Sequence, residues 1–197
     1  MLAALTGAGL AAAAGLNAFI PFVLVGMLDR FTTIIELPPG LDWISSWWAI
    51  GIGMALLVAD VVLDKVPGVD HVSDLIQTAV RPLMGGVMFA AASGAEQIEQ
   101  SEWWRDNPWA GAVIGVVLAG TVHAGKALSR PVVNASTIGA GAPLVSAAED
   151  VTSVTVSVIA ILLPVLVVGV LLAIAFAIWR ILVFRRRRRE RRAARAT

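Results

Sequence analysis

The chain has 197 residues, 58% of them hydrophobic and 15% charged, and its mean hydropathy of +0.82 excludes an ordinary soluble domain and points to an integral membrane protein. It contains no cysteine, which excludes a disulfide framework and a cysteine-ligated metal. The formal net charge of +1 hides an acidic body and a basic tail: nine of the fifteen basic residues fall in residues 180–195, while residues 1–179 carry six basic and thirteen acidic side chains.

A bilayer core about 30 Å thick takes roughly 20 apolar residues of helix. Residues 2–28 carry no charge and lack the basic start of a secretory signal, so they read as a retained first span, with Asn17 just before Pro21. Further spans are expected at residues 47–64, 72–94 and 109–127. Between residues 131 and 150 the glycines and Pro143 argue against a plain helix, and the scarcity of polar groups argues against an ordinary loop. A short or re-entrant element packed among other helices is expected there. Residues 151–184 form an apolar stretch of 34 residues. As one helix that stretch would reach about 51 Å, too long for an upright span, and Pro164 is expected to kink or break it. The fold class predicted is therefore all-α: a polytopic helical membrane bundle of about six membrane segments, with a broken or re-entrant element before the last helix. Residues 1–184 read as a single transmembrane domain and residues 185–197 as a basic cytoplasmic tail.

Orientation follows from lysine and arginine, because basic loops stay cytoplasmic. The run FRRRRRERRAAR fixes the C-terminus inside, and Lys65 and the Lys126/Arg130 pair mark cytoplasmic turns. The loops at residues 29–46 and 95–108 are net acidic and should face outward, bordered by six of the seven tryptophans, as an interfacial belt would be. Six segments with both termini inside satisfy these signs when residues 131–150 count as a crossing; if that element only dips in and returns, the N-terminus lies outside. The membrane expected is the cell inner (cytoplasmic) membrane.

Asp60 and Asp64 are one turn apart near the end of the second span. Asp70, Asp74, Thr78 and Arg81 share one face of the third. Asp64, Lys65 and Asp70 lie at a turn, where simple capping also explains them. Asp60 and Arg81 lie inside apolar runs, where an ionised group costs several kcal/mol unless paired or hydrated, so Arg81 is expected to pair with a carboxylate. On the fourth span Gly111, Gly115 and Ala119 form a small-residue ridge suited to close helix packing, which ends in His123, with Lys126 a turn later. Glu149 and Asp150 come from the ambiguous element and Asn17 from the first span. These eleven positions, Asn17, Asp60, Asp64, Lys65, Asp70, Asp74, Arg81, His123, Lys126, Glu149 and Asp150, are the candidate substrate or ion site. A faint repeat adds to this: TGAGLAAAAGLNAF and IGAGAPLVSAAEDV share a GAG start, and an offset of 132 sets Asn17 against Glu149.

The string DKVPGVDHVSD, the later Arg81–Pro82 pair, His123 with Lys126 three residues on, and SAAED at 146–150 together resemble the bacterial membrane family described as domain of unknown function 4126. The resemblance spans nearly the whole chain. It implies a small polytopic membrane protein with recurrent positions at Asp64, Lys65, Pro67, Asp70, Asp74, Arg81 and Pro82, and it brings no activity with it. Asn17 stands where the resemblance implies an arginine in many relatives.

Three functions compete. The first is a transporter or lipid-linked translocator, in which a carboxylate or His123 takes up a coupling proton and Arg81 or Lys126 holds an anionic group. The second is a scaffold or assembly protein without catalysis. The third is an enzyme acting on lipid phosphates, with the aspartates holding a divalent cation. It is disfavoured because the PSGH and histidine-aspartate parts of the lipid phosphatase signature are missing, so an activity is left open rather than expected, and no cofactor is expected. Expected partners are membrane lipids, anionic headgroups at the arginine run, a small anionic or lipid-linked substrate and a second copy of the chain, with no nucleic acid.

Overall fold

A computed structural model describes residues 2–63, 70–93, 107, 109–137 and 142–193. The described residues form helices and no strand, the all-α class expected. In chain order the helices are α1 (Leu2–Leu16), α2 (Phe19–Phe31), α3 (Trp47–Leu63), α4 (Asp70–Ser93), α5 (Trp109–Thr137), α6 (Ala142–Leu162) and α7 (Val167–Ala193). Short 3-10 turns at Asp42–Ser45 and Pro164–Leu166 lead into α3 and α7.

Three described stretches are long and apolar enough to cross a bilayer: Trp109–Ser129 of α5, Pro143–Leu162 of α6, and Pro164–Phe184, which opens α7. α1 and α3 are shorter apolar helices. These helices mark a membrane protein by length and composition. The break expected at Pro164 is present, since α6 ends at Leu162 and a proline-led turn starts the last helix. The ambiguous residues 131–150 are divided: 131–137 finish α5 and 142–150 begin α6, which continues to Leu162.

The first span departs from expectation. Residues 2–28 are not one helix but two short ones that reverse direction at Asn17 and Ala18. Fifteen residues carry α1 about 22 Å along its axis. Yet residues 33–39, which follow α2, line the same cleft as Leu2, Ala3 and Thr6, so α2 must return to the end where α1 began. Asn17 makes this possible. Its Oδ1 accepts hydrogen bonds from Phe19 N at 3.0 Å and Ile20 N at 3.3 Å, capping α2. Pro21 then occupies the third position of α2, where a missing amide costs no intrahelical bond. Because one segment returns, the chain's two ends part. Leu2 lies at the cleft end, whereas α7 runs from Val167, beside Gly9, to Ile178, beside Gly125, and on toward the other end. The described starts of α1 and α7 thus place Leu2 and the end of α7 at opposite ends of the bundle, which departs from the six-segment expectation of both termini on one side.

α1 is the central helix, with Ala11, Ala12, Ala13 and Ala14 fully buried among α4, α5 and α6. Small side chains permit this. A methyl at Gly15 would sit 2.6 Å from the carbonyl oxygen of Ala119. The ridge expected on the fourth span faces α4, where Gly115 meets Gly85 backbone to backbone and the Ala119 methyl packs against Gly85. The apolar core gathers Leu10, Ala14, Phe22, Val25, Met88, Ala160 and Val167.

Candidate functional site

The reversal at Asn17 leaves two helix termini inside the bundle, the carbonyl end of α1 and the amide end of α2. Each is met by a side chain from another helix. Lys126 of α5 directs Nζ to the carbonyl oxygen of Leu16 at 3.2 Å, placing a cation at the negative end of α1. The same Nζ lies 2.7 Å from Oε2 of Glu149 on α6, with side-chain exposures of only 3% and 11%. Asn17 caps α2 and donates from Nδ2 to Asp150 Oδ1 at 2.9 Å. One turn deeper on α6, Ser153 Oγ donates to the carbonyl oxygen of Ala13 at 3.0 Å. Helices α1, α2, α5 and α6 thus meet in one polar network at a helix break, with Asn17, Ser153 and Lys126 all buried.

A second group occupies the same end on the seams of α4. Asp60, near the end of α3, accepts a hydrogen bond from Gln77 Nε2 through Oδ1, and Arg81 Nη2 stands 3.9 Å from its Oδ2. Arg81 is fully buried, so its guanidinium requires a matching carboxylate, which Asp60 supplies. On the opposite seam, Thr78 Oγ1 and His123 Nε2 are 3.2 Å apart. His123 and Lys126 are one turn apart on α5, so that helix borders both groups.

Of the residues expected from the sequence, Asn17, Lys126, Glu149 and Asp150 meet in the first network, and Asp60 and Arg81 meet in the second with His123 adjoining. These side chains contact one another; the described cleft lies at the far end of the bundle. Asp64 and Lys65 lie outside the described residues. Asp70 and Asp74 stand on α4, and their side chains are outside those described. Among the described residues no group of three His, Cys, Asp or Glu side chains has the arrangement to hold a metal ion. Reading the sequence overlooked Gln77, Ser153 and the carbonyl of Leu16. Gln77 precedes Arg81 by one helical turn, a spacing that puts the two on one face but does not by itself mark a neutral amide as part of a site. A backbone carbonyl leaves no signal until the helix end is located.

No curated protein and no solved structure matches the chain. A family model described as Domain of unknown function (DUF4126) matches residues 4–183, which cover both polar groups and the helices that carry them. The chain belongs to that family.

Proposed function

We propose that the protein is a transporter or lipid-linked translocator whose site is the polar network at the α1–α2 break. The observation that carries this reading is the buried Lys126–Glu149 pair against the carbonyl end of α1. A purely structural bundle gains little from such a pair, because removing two charges from water costs about as much as their attraction returns. A discontinuous helix with its ends turned toward charged side chains is the arrangement by which membrane proteins hold ions and charged solutes away from lipid.

The chemistry follows from the pairing. While Glu149 is ionised it occupies Lys126. A proton on Glu149 neutralises it and frees one face of the ammonium, which then takes the anionic group of a substrate. Loss of that proton restores the Glu149 carboxylate, which takes back Lys126 and displaces the anion. One proton and one negative charge move together, so the exchange is electrically neutral at the site. Asn17 acts as a positioning residue, tying the α2 end to Asp150 on α6 so that the break and the carboxylates keep register. The acidic loops are taken to face outward, the arginine-rich end of α7 to meet anionic headgroups on the cytoplasmic side, and the membrane to be the inner one.

The test uses proteoliposomes loaded with a pH-sensitive dye and challenged with poorly permeant anions: inorganic phosphate, an organic sulfonate and a phosphate monoester. A parallel arm follows a fluorescent anionic phospholipid across the bilayer by dithionite quenching. Wild-type protein should acidify the interior with at least one anion or move the lipid, and Lys126→Met should abolish the response while still inserting. Rates equal to protein-free vesicles in every arm would reject the reading.

A further inference from the structure

A cleft of about 570 Å³ opens at the end of the bundle opposite the Lys126 network. Thr6 and Leu10 of α1, Val25 of α2, Ala91 of α4 and Ile161 of α6 line it, and residues 33–39 form a strap along one side. The strap is held by its own bonds: Leu37 N donates to Asp29 Oδ1 at 2.8 Å, and Ile34 N donates to Thr32 Oγ1 at 3.3 Å. At the mouth Ile34 and Glu36 are exposed. At the floor Leu10 and Val25 are each 1% exposed. The volume suits a small organic solute better than a bare ion.

The floor is thin. On α1 the cleft ends at Leu10, and the polar network begins at the Ala13 carbonyl that Ser153 contacts. Three residues of helix separate them by about 4.5 Å of axial rise, and the Leu16 carbonyl that meets Lys126 is about 9 Å beyond Leu10. The intervening layer is apolar: Leu10, Val25 and Met88 with the buried alanines of α1. An apolar layer of this kind between two polar regions closes a path by excluding water, and it opens when its larger side chains move aside. Alanine has no rotamer to change, which leaves Leu10, Val25 and Met88 as the movable parts.

We infer that the cleft is the access vestibule to the Lys126 network from the side opposite the arginine-rich end, and that Leu10 and Val25 form its closed gate. This rests on the transport reading and extends it by naming the side of access and the barrier. Glu36, at the mouth, is the one charged residue among the described residues that line the cleft. The described lining therefore offers no cation to retain an anionic solute. Lys126, beyond the gate, supplies one.

The natural absence of cysteine allows a direct test. Thr6→Cys and Ser153→Cys are introduced separately into the full chain in proteoliposomes of known orientation, then exposed to a membrane-impermeant sulfonate-bearing methanethiosulfonate. Thr6→Cys should react from the side opposite the tail, and Ser153→Cys, an almost isosteric change beneath the gate, should react about tenfold more slowly or less. Adding Leu10→Ala to Ser153→Cys should raise its rate about tenfold from that same side. Val25→Ala removes less volume and serves the same purpose where Leu10→Ala impairs folding. An unreactive Thr6→Cys overturns the inference. So does a Ser153→Cys that stays protected after the floor is opened, or that reacts faster from the tail side. The labelling needs no transported solute. Absence of wild-type flux with every probe therefore removes the transport reading alone, and the accessibility pattern decides the vestibule separately.

Discussion

Lys126 on α5 holds its ammonium 2.7 Å from the carboxylate of Glu149 on α6 at the point where α1 stops. Both charges are shielded from solvent, so each stabilises the other there. Lys126→Met removes a cation from beside the shielded Glu149 carboxylate and is expected to cost about 3 kcal/mol. Adding Glu149→Gln should recover part of that loss, with a coupling energy of about 1–2 kcal/mol across the double-mutant cycle. Thermal unfolding of the purified variants in detergent checks this; additive losses would mean that the pair is not energetically linked.

Asn17 is the hinge of the α1–α2 hairpin, because one side chain caps α2 and reaches Asp150. Asn17→Ala removes both contacts and should cost about 1–2 kcal/mol. Asn17→Asp keeps an oxygen for the cap but sets two carboxylates face to face. Exchanging the pair, Asn17→Asp with Asp150→Asn, should restore most of the stability that Asn17→Asp alone loses. Equal melting temperatures for the single and exchanged variants would contradict the observed pairing.

Arg81 is fully buried and has Asp60 as a carboxylate neighbour, with Gln77 bonded to the same Asp60. Asp60→Asn therefore removes a carboxylate from beside a buried guanidinium and should destabilise by about 3 kcal/mol. Asp60→Asn with Arg81→Met should be less damaging than Asp60→Asn alone. Chemical denaturation of the three proteins distinguishes this from two independent losses.

The small-residue contacts predict opposite outcomes for the same substitution. A methyl on Gly115 would meet the Gly85 backbone, so Gly115→Ala should destabilise by about 1–3 kcal/mol. A methyl on Gly51 or Gly169 would point into open space. Gly51→Ala and Gly169→Ala should therefore be neutral or stabilising by up to about 1 kcal/mol, as expected for helical glycine. Comparing the melting temperatures of these three variants tests the tight α4–α5 seam.

Much of this site is legible in the sequence alone. Asp60 and Arg81 stand out because an ionised group inside an apolar run must find a partner, and their proximity follows from that cost. Pro164 announces its break because a ring without an amide donor weakens a helix interior, and it falls well inside a 34-residue apolar stretch too long for one upright span. The hairpin in the first span is hidden, since residues 2–28 satisfy the length criterion for a single crossing and Asn17 breaks that span only through the cap it forms. Gln77 is hidden for an energetic reason: a neutral amide costs far less to bury than a charge, so it raises no alarm in a sequence. The pairing of Asn17 with Asp150 depends on α1 and α6 running antiparallel, which local sequence does not encode.

The central claim is that Glu149 carries the proton that releases Lys126 to a substrate anion. Its most direct test is to measure, in the same vesicles, anion uptake and interior acidification for the wild type, Glu149→Gln and Lys126→Met. Glu149→Gln imitates the protonated state, so the account predicts that it still exchanges anion but no longer moves protons, while Lys126→Met does neither. Proton movement in Glu149→Gln that keeps step with anion uptake as in the wild type would contradict it.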